Sequence, residues 1–140
     1  MSAIRFLEHF QLVNEPSFWA EAEIIKWAGR LLEAYEKGDK EETRRAILGL
    51  YYYLLSLANS RKLAEKAHLA EQTYESFSGS ISRWAKRDIV ELTAKALAGG
   101  FDNIERAFML LARIAREVLG YTAEEFDKDF RKLEEVKTAC

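Results

Sequence analysis

Arg61 and His68 are the residues whose types and spacing best suit catalysis. Seven residues is close to two helical turns, so both fall on one helix face, with Lys62 beside the arginine. Histidine suits general acid–base work because it titrates near neutrality. A second set is basic: Arg83, Lys86 and Arg87 cluster around Trp84, while Arg106, Arg113 and Arg116 share a face around Met109. Such faces can track phosphates, although Asp88, Glu105 and Glu117 are close enough in sequence to pair with them. A third set is apolar. Trp19 and Met109 fall among charged residues, and Phe126, Phe130 and Leu133 recur at helical spacing near the C-terminal end. Aromatic residues and methionine in such positions suit a protein interface.

Arg, six residues, then His resembles the signature of HEPN-type ribonucleases, over the eight residues from Arg61 to His68. Members of that family are small helical bundles active as dimers. The resemblance implies an Arg61 that polarises phosphate and a His68 that moves a proton at an RNA 2′-hydroxyl. A second likeness runs through Trp27-Ala28-Gly29-Arg30, Gly38-Asp39 and Ile47-Leu48-Gly49-Leu50, which is similar to the skeleton of all-α nucleotide pyrophosphohydrolases. That family holds magnesium with two acidic pairs. Trp27, Arg30, Ile47 and Leu50 stand at those positions and offer no oxygen ligand for a hard cation, so that activity is not expected.

The elements that must position these residues are all helical. Glycine at a stop, then a capping residue with Glu three positions on, occurs at Gly38/Asp39…Glu42, Gly99-Gly100/Asp102…Glu105 and Gly120/Thr122…Glu125. Glycine takes the left-handed cap and the next side chains satisfy the free N–H groups, so each site reads as stop and restart. A short helix is expected over residues 3–12, with Asn14-Glu15-Pro16 breaking it. The next helix, over 16–37, carries two apolar stripes. Phe18, Ala22, Ile25, Gly29 and Leu32 form one, and Ile24, Ala28, Leu31 and Tyr35 form the other. Together they predict a central helix, with Gly29 and Ala22 at a close helix–helix approach. Asp39 should cap the most apolar helix, over 40–58, built on Ile47, Leu50, Leu54 and Leu57 and paired antiparallel with its predecessor. The stripe changes phase at Asn59-Ser60, which predicts a kink or break before a helix ending near Gly79. Ser80 should cap a helix with Ile89, Leu92 and Ala96 inward and a mixed back face containing Val90, Ala94 and Leu97. Asp102 should cap one with Ile104, Ala107, Phe108, Leu111 and Ala115 inward, and Thr122 a last one. The hairpins around Asp39 and Asp102 echo each other, as ordinary turn physics allows without duplication.

Bulk composition bounds the function classes. The 140 residues suit one domain spanning 1–140, long enough for a core without disulfides or metal. A formal net charge of −2 argues against a generally basic coat for nucleic acid, though not against a local patch. The single cysteine, Cys140, fits a reducing compartment, and Arg5, Glu8 and His9 do not suit a signal peptide. No stretch is apolar enough to span a bilayer. The two Glu-x-x-His motifs of a di-iron bundle do not occur together, and no phosphate loop occurs, so no metal or cofactor is expected. Scarce Asn and Gln suit a protein from a hot environment, and also simply a helical one.

These features predict an all-α antiparallel bundle of six or seven helices, cytoplasmic in setting. The favoured function is a small non-enzymatic interaction or assembly subunit that self-associates through Trp19, Met109, Phe126, Phe130 and Leu133. The first alternative is a nucleic-acid-associated subunit using Arg83, Lys86, Arg87, Arg106 and Arg113. The second is a HEPN-like ribonuclease acting through Arg61 and His68.

Overall fold

A computed structural model describes residues 19–60, 85–120 and 123–139. Among these, five α-helices and no strand are present: α1 (Ala20–Lys37), α2 (Lys40–Ser60), α3 (Ala85–Ala98), α4 (Phe101–Leu119) and α5 (Ala123–Ala139). The helices expected over 3–12 and 61–79, and the caps at Ser80 and Thr122, lie outside the described residues. None of the described helices is long and apolar enough to cross a membrane.

The turns follow the local chemistry at the first hairpin. Gly38 sits at φ 69°, and its N–H donates to the Tyr35 carbonyl at 3.1 Å while the Asp39 N–H reaches the Ala34 carbonyl at 3.0 Å. The otherwise orphaned last carbonyls of α1 are thereby satisfied. Asp39 Oδ1 then accepts the Glu42 N–H at 3.1 Å and starts α2. The second hairpin departs from expectation, because Asp102 is not the cap. Gly99 and Gly100 hold φ of 74° and 84°, which lets the chain re-enter a helix at Phe101. The Ile104 N–H donates to the Gly100 carbonyl at 3.0 Å, and Asn103 Nδ2 donates to the Gly99 carbonyl at 2.8 Å. Asp102 instead sits exposed in the first turn, where a negative charge suits the helix dipole.

α1 packs along α2 and α3 along α4. The two hairpins then meet, α1 against α3 and α2 against α4. α2, not α1, is the central helix. Ala46, Ile47, Leu50, Tyr51, Leu54, Leu55, Leu57 and Ala58 are all buried, which covers more than half its circumference. α1 buries only the stripe of Ile24, Ala28 and Leu31, with Ala20 and Ala34 at its ends. Its second stripe, through Ala22, Ile25 and Gly29, faces out. The expected close approach at Gly29 is therefore absent among the described residues, where nothing lies within 4 Å of its Cβ position. The close approach is at Gly49 of α2, where a Cβ would sit 2.5 Å from Cδ2 of Trp27. α3 contributes Ile89, Leu92 and Ala96 to the core, and α4 contributes Ile104, Ala107, Phe108, Leu111 and Ala115, as their spacing predicts.

α5 joins through aromatic contacts. The Tyr51 ring stands edge-on to Phe126 at 4.7 Å, to Phe130 at 5.2 Å and to Phe108 at 6.1 Å, the geometry that aromatic quadrupoles favour.

Two glycines thus have opposite predicted responses. Gly49→Ala drives a methyl into the Trp27 ring and should cost about 1–3 kcal/mol in urea unfolding, with part of the loss recovered in Gly49→Ala/Trp27→Phe. Gly29→Ala, in open space on an exposed helix face, should stabilise the fold by about 0.5–1 kcal/mol.

Candidate functional site

The outward side of α1 carries two of the three exposed large apolar residues among the described residues. Trp19, which precedes the helix, is 74% exposed, Ile25 is 54% exposed, and the small residues Ala22 and Gly29 lie exposed beside them. The periodicity that buries Ile24, Ala28 and Leu31 necessarily places this second set away from α2. Val90 on α3 is exposed as well, consistent with the mixed back face of that helix.

Next to this side, at the tip of the α1–α2 hairpin, a cavity of about 310 Å³ opens among Arg30, Glu33, Lys37, Asp39, Glu42 and Arg45. Most of its charges are matched locally. Lys37 Nζ donates to Glu33 Oε1 at 2.8 Å, which lowers the Glu33 pKa and raises that of Lys37. Arg45 donates to Glu42, and Asp39 is occupied in capping α2. Arg30 differs: its guanidinium lies 4.6 Å from the Trp27 ring centroid, and among the described residues no carboxylate pairs with it.

No family model matches the chain, and no curated protein or solved structure matches it. The functional reading therefore rests on geometry alone.

The basic residues of α3 and α4 are turned largely to structural use. Arg106 Nε donates to Glu91 Oε1 at 3.3 Å, and Arg113 Nε lies 3.6 Å from Asp88 Oδ2, so both bridge α4 to α3. Lys86 reaches Glu36 of α1 at 3.2 Å. Arg87 is exposed, while Arg83 lies outside the described residues. Arg106 and Arg113 thus make the kind of ion pair that the nearby carboxylates allowed, because Asp88 and Glu91 of α3 face the same seam. Asp88 is buried, and burial pushes its carboxyl above the ordinary value of 3.8. Arg113 partly offsets that, Glu91 adds to it, and Arg106 opposes it. Glu105 is raised too, by burial and then by Asp102.

The expected aromatic surface on the last helix is also corrected. Phe126 and Phe130 are 1% and 0% exposed and belong to the core around Tyr51, so they present nothing to a neighbour. Their spacing fitted an outward stripe equally well, and only the position of Tyr51 decides the matter. Met109 is half-buried on α4, and the side chain of Leu133 lies outside the described residues. Arg61 and His68 lie outside them too. Ile47 and Leu50, aligned with metal-binding positions in the pyrophosphohydrolase likeness, are both 0% exposed in the hydrophobic core. Sequence reasoning missed Arg30 and Arg45 as partners across one cavity. They come from different helices, and only the turn through Gly38-Asp39 brings them together.

Arg113→Met leaves a buried carboxylate without its compensating charge and should cost about 3 kcal/mol at neutral pH. The pH dependence has a definite sign. With its folded pKa raised, Asp88 contributes stability that is full below about 3.8 and is lost as pH rises through the folded value. The urea midpoint of the unmodified protein should therefore fall relative to Asp88→Asn between about pH 4 and pH 7. In Arg113→Met the fall should be steeper, and a relative rise would show the sign to be wrong.

Proposed function

We propose that this protein is a small non-enzymatic helical interaction subunit that self-associates through the outward side of α1. Trp19 carries the reading. A large aromatic 74% exposed at the head of a helix is of the residue type that dominates interfaces, and burying it would contribute roughly 2–3 kcal/mol per copy. Ile25 extends the same side by two turns' reach along the helix.

A second copy of the chain fits this side for a specific reason. Gly29 weakens α1 by about 1 kcal/mol relative to alanine, and among the described residues nothing occupies the space it leaves. A two-fold antiparallel crossing near residue 24 would set Trp19 of each copy over Gly29 of the other, a knob against a hole made twice by one symmetry operation. Glycine there would serve the dimer rather than the monomer.

Light scattering on a size-exclusion column, with absorbance read at protein and nucleic-acid wavelengths, tests the proposal. A dimer free of nucleic acid is expected, converted to monomer by Trp19→Ser and by Gly29→Leu, with helix content unchanged by circular dichroism. A monomer at all concentrations, or a dimer indifferent to both substitutions, would remove α1 as the interface. A peak whose nucleic acid is stripped by salt would favour the basic-face reading through Arg87 and its neighbours instead.

A further inference from the structure

We infer that Arg30 is the receiving half of the self-association contact: its guanidinium lies between two indoles, Trp27 of its own chain beneath and Trp19 of a second copy above. The inference rests on the self-association proposed above and names the group that receives Trp19 beside Gly29. Gly49 of α2 meets the inner side of the Trp27 ring, and the exposed Arg30 guanidinium lies over that ring at 4.6 Å from its centroid. A guanidinium is planar, weakly hydrated and able to stack on aromatic rings by its faces. The face turned from Trp27 is on the solvent side, and among the described residues no carboxylate pairs with Arg30. Two nearby carboxylates of α1 are engaged with lysines, Glu33 with Lys37 at 2.8 Å and Glu23 with Lys26 at 3.7 Å.

The register of an antiparallel two-fold crossing near residue 24 brings the second indole to this place. The Trp19 carbonyl accepts the Glu23 N–H at 2.9 Å, so Trp19 stands on the first turn of α1, on one strip with Lys26 and Arg30. Two-fold symmetry lays that strip on itself in reverse. Counting equally from the crossing point, Trp19 of the second copy falls level with Gly29 and next to Arg30, whereas its Glu21 and Glu23 fall level with Trp27 and Ile25. The cation therefore meets a ring rather than a carboxylate. Its attraction is to the quadrupole of that ring, so it does not depend on the net charge of the hairpin tip. Indole is the strongest aromatic partner for a cation, and the contact gains strength as water is excluded. Stacking on Trp27 restricts Arg30 in advance, which lowers the entropy lost on docking. An aliphatic side chain would fill the space over Gly29 but offer the guanidinium no π face.

Sedimentation equilibrium of the full chain, with isotope-filtered NMR on mixed labelled and unlabelled copies, tests the contact. Arg30→Gln should raise the dimer Kd about tenfold to several hundredfold at unchanged helix content, since both symmetric contacts go at once. Arg30→Lys, which keeps the charge and loses the planar face, should raise it less. Arg87→Gln on α3 should leave it unchanged. In the unmodified protein, NOEs between copies should run from the Trp19 ring of one to the Arg30 side chain of the other. A dimer lost in Trp19→Ser and Gly29→Leu but indifferent to Arg30→Gln overturns this contact and leaves the α1 interface standing. NOEs that run from Trp19 to residues away from Arg30 do the same. A chain monomeric at all concentrations overturns both.

Discussion

The contact of the Trp27 indole with Gly49 sets the rest of this bundle. The indole lies so close to α2 that a Cβ at its contact point would sit 2.5 Å from the ring, and Gly49 leaves that space open in the middle of the helix. With Trp27 seated there, the rotation of α1 about its axis is fixed. Ile24, Ala28 and Leu31 turn inward and Ala22, Ile25 and Gly29 turn out. The same seating carries Arg30 over the indole ring and so to the mouth of the hairpin cavity. One close approach thus determines the core face of α1, its outward face and the geometry of the charged tip.

α2 can be central because its apolar surface wraps most of its circumference, and each sector meets a different partner. α1 and α4 lie along its sides, while Tyr51 gathers Phe108, Phe126 and Phe130 at one point. Those edge-on ring contacts hold α5, whose sequence is otherwise strongly charged. The α3–α4 seam is held differently, by Ile89, Leu92 and Ala96 below and by Asp88–Arg113 and Glu91–Arg106 at its margin. Burial of Asp88 opposes its ionisation, so that seam owes its pairing more to geometry than to net electrostatic gain.

The surface proposed for self-association is what the core leaves over. A helix with two apolar stripes can bury one against a hairpin partner, and the other must meet solvent or another molecule. At the tip, intrahelical pairs match four of the six charges, and Asp39 keeps its negative charge while capping α2, so the sum with Arg30 is zero. Arg30 stands out only after that pairing is known, which composition and net charge could not reveal.

Much of the fold was legible residue by residue. The 3.6-residue recurrence of Ile47, Leu50, Leu54 and of Ile104, Phe108, Leu111 marks buried faces. Gly38 with Asp39, and Gly99 with Gly100, mark the turns, because their chemistry is local and completes itself within a few residues. What recurrence cannot state is the neighbour. Gly29, inside a broad apolar stripe, pointed to a close approach that Gly49 makes instead, and Phe126 and Phe130 form the same stripe whether they face a second chain or Tyr51. Arg113 has several candidate carboxylates in sequence, and only the packing of α3 on α4 selects Asp88. Periodicity, capping and turn chemistry determined the helices and their stops, since these depend on residues a few positions apart. The choice of buried stripe, of close-packed glycine and of paired arginine belonged to the tertiary structure, since each depends on which distant helix lies opposite.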